Sequence, residues 1–300
     1  MKMIYWCVVF ILLVICCVAC FSISCSSSSI PDLTVITCNT GDLSGHKRPT
    51  SKKILEAIGV ASAPDVILLQ EVYGEAQARI LARVHGMAHF AFSFYTGKSN
   101  GVAILSSYPL ENSDTLHFTV SHTGYGAIAA DIRVGTKTIT VASVHMDSVY
   151  WDMLEHRKAF KGGQVDVNMA SAISFMKSEF WSDSTRKQSV QEFMEWLESR
   201  GCESVIVGGD FNTVPLSRAI RAMGAHFSDV LWPSLHYWYG TYKRLSFPIM
   251  PRIDYLFYQR IRAAHNSPKH GDFTFMHGFF APKSNHMSIN IAKSTGVRGN

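Results

Sequence analysis

Val205-Ile-Val-Gly-Gly-Asp-Phe-Asn212 is the stretch on which the fold turns. Val205 to Gly208 is a short apolar run that predicts a buried strand, and it delivers a polar pair, Asp210 and Asn212, at its end. Gly208 and Gly209 permit a tight turn or a close approach of a ligand to the backbone. Asp210 and Asn212 face the same side if the backbone stays extended, whereas in an Asx turn they serve only their own loop. Asp65-Val-Ile-Leu-Leu-Gln-Glu71 has the same design, a buried strand that carries one carboxylate to its end. Taken alone, such a glutamate reads as a surface charge.

Working outward, further strands are predicted at Leu33–Cys38, Val102–Leu105, Ala127–Ile132, Thr138–Val144, Ile253–Tyr258 and Met287–Ile291. Helices are predicted at Ser51–Ile58, Glu75–Val84, Met169–Phe180, Arg186–Ser199 and Leu216–Met223. Asn39, Glu71, His145, Asp210 and Asp254 each fall at a strand end, where a rigid sheet can hold polar groups at a rim. No internal repeat and no second change of composition interrupts the chain after residue 31, so residues 31–300 read as one domain. The 300 residues are 47% apolar and 17% charged, a globular mixture able to bury a sizeable core. A net charge of +5 excludes a histone-like polybasic protein but leaves room for a local basic groove.

Five of the seven cysteines precede residue 30, and only Cys38 and Cys202 follow. That distribution excludes a disulfide framework, and no Cys/His spacing suits a structural zinc. Residues 1–30 form a leader: Met1-Lys2-Met3, an uncharged apolar run from Ile4 to Phe21, then a serine-rich tether. Its length lies between a signal-peptide core and a spanning helix, so it reads as an export signal, a lipoprotein signal or a membrane anchor. Val18-Ala19-Cys20 is similar to the end of a bacterial lipobox, which makes Cys20 a candidate for lipidation. The expected location is therefore exported, either secreted or membrane-anchored.

Asn39 in Thr37-Cys-Asn-Thr40, Glu71, Gly101-Val-Ala-Ile-Leu-Ser106, His145 in Ser143-Val-His-Met146, Asp210, Asp254 in Arg252-Ile-Asp-Tyr255 and Ser284-Asn-His286 follow one another in a recognisable order. The chain resembles the endonuclease/exonuclease/phosphatase superfamily, the DNase I-like phosphoesterases, over residues 33–292. The resemblance implies an α+β fold, a four-layer α/β/β/α sandwich of two packed mixed β-sheets. It also implies phosphate-ester hydrolysis with a divalent metal, Mg²⁺ in the first place and Mn²⁺ or another cation as substitutes. In that reading Glu71 is the principal metal ligand, with Asn39 beside it, a hard oxygen set that suits magnesium. Asp210 orients or deprotonates the attacking water, and Asn212 holds the phosphate. His286 donates to the phosphoryl oxygen as charge develops, with Asp254 fixing its tautomer, and His145 lies on the opposite side of the phosphate.

Two departures from the family pattern follow. Asn285 stands where the family usually has aspartate, leaving an oxygen acceptor without the charge, as a metal contact or a group behind one. Some nuclease members pair the first histidine with a carboxylate on the preceding strand, whereas Ala127-Ile-Ala-Ala130 supplies only apolar groups. A long insertion, about residues 147–185, reads either as a packed helical segment or as a lid toward lipid headgroups or nucleotides, given Tyr150, Trp151, Trp181 and the basic Arg157, Lys158 and Lys161. The expected activity is an exported or membrane-tethered, nuclease-type phosphodiesterase. The alternatives are a lipid-headgroup, sphingomyelinase-like or inositol phosphatase, and a noncatalytic binding protein of the same fold. The substrate is accordingly nucleic acid, phospholipid or inositol phosphate, and the sequence is silent on oligomeric state.

Overall fold

Leu33–Asn39 (β1) alternates residues toward two different apolar layers, and both layers are buried. A strand covered on both faces is the mark of a sheet inside a sandwich. The computed structural model of the chain describes residues 33–41, 64–148, 177, 179–202, 204–230 and 252–259 in full, and the backbone of 274–276 and 286–292. The leader with Cys20, the helix expected at Ser51–Ile58, residues 149–176 and Asn285 lie outside the described residues.

The first sheet runs in the order β11-β12-β1-β2-β4-β3. Its strands are β1, β2 (Val66–Val72), β3 (His89–Phe94), β4 (Gly101–Ser106), β11 (Thr274–Met276) and β12 (His286–Ala292). The second runs β5-β6-β7-β8-β10-β9. It consists of β5 (Glu111–His117), β6 (Gly126–Val134), β7 (Lys137–His145), β8 (Val205–Asp210), β9 (Ser228–Asp229) and β10 (Asp254–Gln259). Both sheets are mixed. Each contains one parallel pair, β1 with β2 and β7 with β8, among antiparallel neighbours.

Helix α1 (Glu75–Val84) covers the outer face of the first sheet, burying Ala78, Leu81 and Ala82 with Ile36, Ile67, Leu69 and Leu105. Helices α2 (Thr185–Ser199) and α3 (Arg218–His226) cover the second sheet, with Val190, Phe193 and Met223 against Val144, Val207 and Phe211. The two inner faces meet without room to spare: a Cβ added to Gly208 of β8 would lie 2.8 Å from Leu68 and Thr37 of the other sheet. Glycine is required there because the sheets approach that closely. A polar bridge crosses the same interface, Gln70 donating to Ser143 at 2.9 Å, while Ser143 donates to the Leu69 carbonyl at 2.9 Å. The four-layer sandwich is thus the observed fold.

Every strand expected from the sequence is present, within two residues at each end. The third helix is the exception: it begins at Arg218 rather than Leu216, because Leu216 is left-handed (φ 67°) and the Ser217 side chain accepts the Ile220 N–H as its N-cap. Among the described residues no helix is long and apolar enough to cross a membrane.

Candidate active site

The two parallel pairs end side by side. Asn39 closes β1 and Glu71 lies near the end of β2, while His145 and Asp210 close β7 and β8 in mutual register. β10 then runs antiparallel to β8 so that Asp254 faces Asp210 across the ladder, and β12 sets His286 beside Cys38, one residue before Asn39. Five expected site residues, Asn39, Glu71, His145, Asp210 and Asp254, are therefore carried to one rim by strand register. For His286 the described structure fixes the backbone position.

The side chains of four of them converge. Asn39 Nδ2 donates to Asp210 Oδ2 at 2.9 Å and to Glu71 Oε1 at 3.3 Å. His145 Nε2 lies 4.0 Å from Glu71 Oε1 and 3.9 Å from Asp210 Oδ2. Asn39 thus meets the carboxylates with its amide nitrogen, and its oxygen accepts the Gly41 N–H at 2.9 Å. The amide orientation follows from those partners. An amide oxygen has two lone pairs, so the second is what Asn39 can offer a cation.

Glu71 takes its position through an unusual backbone. Its φ is 58°, a left-handed value rare for a non-glycine residue in a strand, and the β2–β4 register shifts between Leu69 and Val72. A Cβ on Gly41 would collide with Glu71 Oε2, so glycine at that position keeps the slot that the carboxylate occupies. The Glu71 side chain is 27% exposed.

Asn212 corrects the extended reading of its loop. Its φ is 50°, and Asp210 Oδ1 accepts its backbone N–H at 2.9 Å, the Asx arrangement. The Asn212 amide donates to the Met146 carbonyl at 2.8 Å, tying the loops after β7 and β8 together. Asp254 is buried at the start of β10. Just before it, the buried Arg252 grips Asp229 with two bonds of 2.9 and 2.8 Å and donates to the Asp254 carbonyl.

Sequence reasoning did not find Tyr95. Its hydroxyl accepts the Glu71 N–H at 3.1 Å and lies 2.8 Å from His145 Nδ1. Burial first, and the Glu71 charge next, hold its pKa well above the tyrosine value, so it keeps its proton. With His145 kept neutral by burial, the two carboxylates facing Nε2 favour the tautomer protonated there, and Nδ1 then accepts from Tyr95. Tyr95 therefore holds the His145 ring through Nδ1. Burial pushes the His145 pKa down to about 3, and the charge of Lys98 adds to that. The carboxylates 4 Å away act in the opposite sense without outweighing burial.

A column of rings extends the site from His145. Tyr125 stacks on the imidazole at 3.9 Å and 17°, and the Lys98 ammonium stands 4.0 Å from the Tyr125 ring centre. Lys98 is half-buried, and burial lowers its pKa while Glu71 and Asp147 pull it back up. The signal for this column was present as Tyr95-Thr-Gly-Lys98, an aromatic and a basic residue bracketing a turn before β4.

The donor set fits a hard divalent cation. Two carboxylates converge on one imidazole and one amide, a set of hard oxygen donors, and Glu71 opens to solvent. Among the described residues no group of three or more His, Cys, Asp and Glu is arranged to enclose a metal. A cation here would keep several waters, which is what Mg²⁺ prefers.

A family model described as the Endonuclease/Exonuclease/phosphatase family matches residues 36–275. No curated protein matches the chain in sequence. The fold is similar to that of D. rerio TDP2 complexed with a single-strand DNA product, with TM-score 0.56 and 16% identity over 87% of this chain and 98% of that one. It is also similar to the human Nocturnin catalytic domain with bound sulfate, with TM-score 0.57 and 17% identity over 88% and 94% of the two chains. Sphingomyelinase C from Streptomyces griseocarneus matches with TM-score 0.55 and 16% identity, over 87% and 98%.

Proposed function

The chain belongs to the endonuclease/exonuclease/phosphatase family and is a phosphoesterase, and from that premise we propose that it is a metal-dependent, nuclease-type phosphodiesterase. The observation that carries this reading is the meeting of Asn39, Glu71, His145 and Asp210 at the ends of two parallel strand pairs. Glu71, with Asn39 beside it, would hold Mg²⁺, which supplies Lewis acidity toward the phosphoryl group. Asp210, fixed by Asn39 and the Asn212 N–H, orients the attacking water and takes its proton. His145 presents Nε2–H as a neutral donor to a phosphoryl oxygen. In the family reading, His286 would donate to the phosphoryl group as well, with Asp254 as its partner. The water oxygen bonds to phosphorus as the ester P–O bond breaks; the leaving alkoxide takes a proton from solvent and Asp210 releases the one it accepted, so no covalent enzyme intermediate is needed.

A lipid-headgroup substrate is the second reading. Trp181 is 71% exposed and Leu216 44% exposed, and the Arg218 side chain donates to the Trp181 carbonyl. An exposed aromatic beside an arginine, here also paired with Asp183 at 3.1 Å, would suit a phospholipid surface. The leader supports an exported or membrane-tethered protein in either case.

The test is a panel of DNA, RNA, sphingomyelin and inositol phosphates incubated with the full chain, with Mg²⁺ or with EDTA. Nucleic-acid cleavage that stops with EDTA and in Glu71→Gln is the expected result. Full turnover in a metal-free preparation would overturn the mechanism, and selective turnover of sphingomyelin would establish the second reading.

A further inference from the structure

Tyr125 is sandwiched. His145 covers one face at 3.9 Å, and the Lys98 ammonium, 4.0 Å from the ring centre, must cover the other, because two groups cannot occupy one face at that height. The consequence concerns which substrates fit. The quaternary ammonium of a choline headgroup is recognised over an open aromatic face. Here the ring nearest His145 has none to give, and a fixed cation already stands where the headgroup's cation would go. A second anionic group on the substrate, by contrast, meets an ammonium partly stripped of water, two ring spacings from His145.

We propose that Lys98 is a specificity-determining residue that binds a second phosphate adjoining the scissile one, selecting a polyanionic phosphodiester and rejecting a zwitterionic choline headgroup. The inference deepens the nuclease-type reading and rests on it. The turn Tyr95–Lys98 keeps Lys98 in place: the Lys98 N–H donates to the Tyr95 carbonyl at 3.2 Å, and the Thr96 N–H to the Gly124 carbonyl at 2.9 Å, next to Tyr125. Both ends of the cation–π contact are therefore anchored to the same loop pair. Glu71 and Asp147 attract the ammonium toward the site, and a bound phosphate would compete with them for it.

The experiment measures binding as well as turnover, using the full chain with and without Mg²⁺. Adenosine 3′,5′-bisphosphate is compared with adenosine 5′-monophosphate, inositol bisphosphate with inositol monophosphate, and phosphocholine is added alone. The wild type should bind the nucleoside bisphosphate about tenfold more tightly than the monophosphate, the scale of one charge-assisted contact. Lys98→Gln should erase that gap and leave monophosphate affinity within about twofold, and Lys98→Arg should keep most of it. An equal loss on both ligands, or a gap that survives in Lys98→Gln, overturns the inference. A Lys98-dependent gap without turnover of any diester would uphold it while the hydrolase reading fails. The same gap on the inositol pair would uphold the second-phosphate site and remove nucleic acid as its only source.

Discussion

Glu71 and Asp210 come from opposite sheets and reach the same histidine at nearly the same distance, yet their backbones and surroundings differ. Asp210 is 6% exposed, in ordinary strand geometry, and its oxygens accept from Asn39 and from the Asn212 backbone. Glu71 is 27% exposed, stands on a left-handed backbone, and fits a slot that exists because residue 41 is glycine. Both accept from Asn39, but Asp210 is held by two short hydrogen bonds, whereas Glu71 takes the longer bond and owes its position to backbone strain and shape as well. The first arrangement suits a group that must stay oriented, and the second suits one that must offer oxygen to an outside ligand.

The contrast is broken most directly by neutralising each partner. Asp210→Asn and Glu71→Gln should both lower turnover by roughly 10²- to 10⁴-fold. Their stabilities should diverge. Asp210→Asn puts an amide against the Asn39 donor and should cost about 1–3 kcal/mol, whereas Glu71→Gln removes one of two converging charges and should leave stability unchanged or raised. Equal destabilisation in denaturant melts would show that the two carboxylates are held alike. Next in size, Gly41→Ala should push the Glu71 carboxylate from its slot and reduce turnover by about 100-fold, with a raised Mg²⁺ requirement. An unaltered Mg²⁺ titration of the initial rate would mean that the slot is unimportant. The smallest effect is in the backbone itself. Glu71→Gly should be more stable than Glu71→Ala by up to about 1 kcal/mol, because alanine resists a positive φ. At residue 210 the order should reverse by about 0.5–1 kcal/mol, as glycine weakens an ordinary strand. The same order at both sites would remove strain from the account.

The strands that carry Glu71 and Asp210 were legible because each is a short apolar run that ends in a polar group, as in Val66–Glu71 and Val205–Asp210, whereas β10 begins with its polar residue, Asp254. β3 and β5 were not: His89–Phe94 is half-exposed along its length, and Glu111–His117 is a polar edge strand, so neither has the contrast that marks a buried run. Site residues at strand ends could be read from order alone. Tyr95 and Tyr125 could not, because they lie in loops and meet His145 only when β4, β6 and β7 are assembled. The backbone at Asn212 and Leu216 was also hidden, since a side-chain pattern does not reveal a positive φ in residues other than glycine.

The buried Arg186 at the start of α2 has a consequence for how this chain tolerates change in length. Its guanidinium donates to the Asp147 carbonyl at 3.1 Å and to Glu179, which in turn accepts from Thr213 in the loop after β8. Asp147 itself accepts from Ser121, Thr123 and the His122 N–H. The two ends of the stretch between residues 148 and 179 are thus clasped together by groups that belong to the sandwich. Closing a loop whose ends are already joined costs little more as it grows, about 0.6 kcal/mol for each doubling. The clasp itself, Arg186 with Asp147 and Glu179, belongs to the described sandwich and fixes where that stretch leaves it and where it returns.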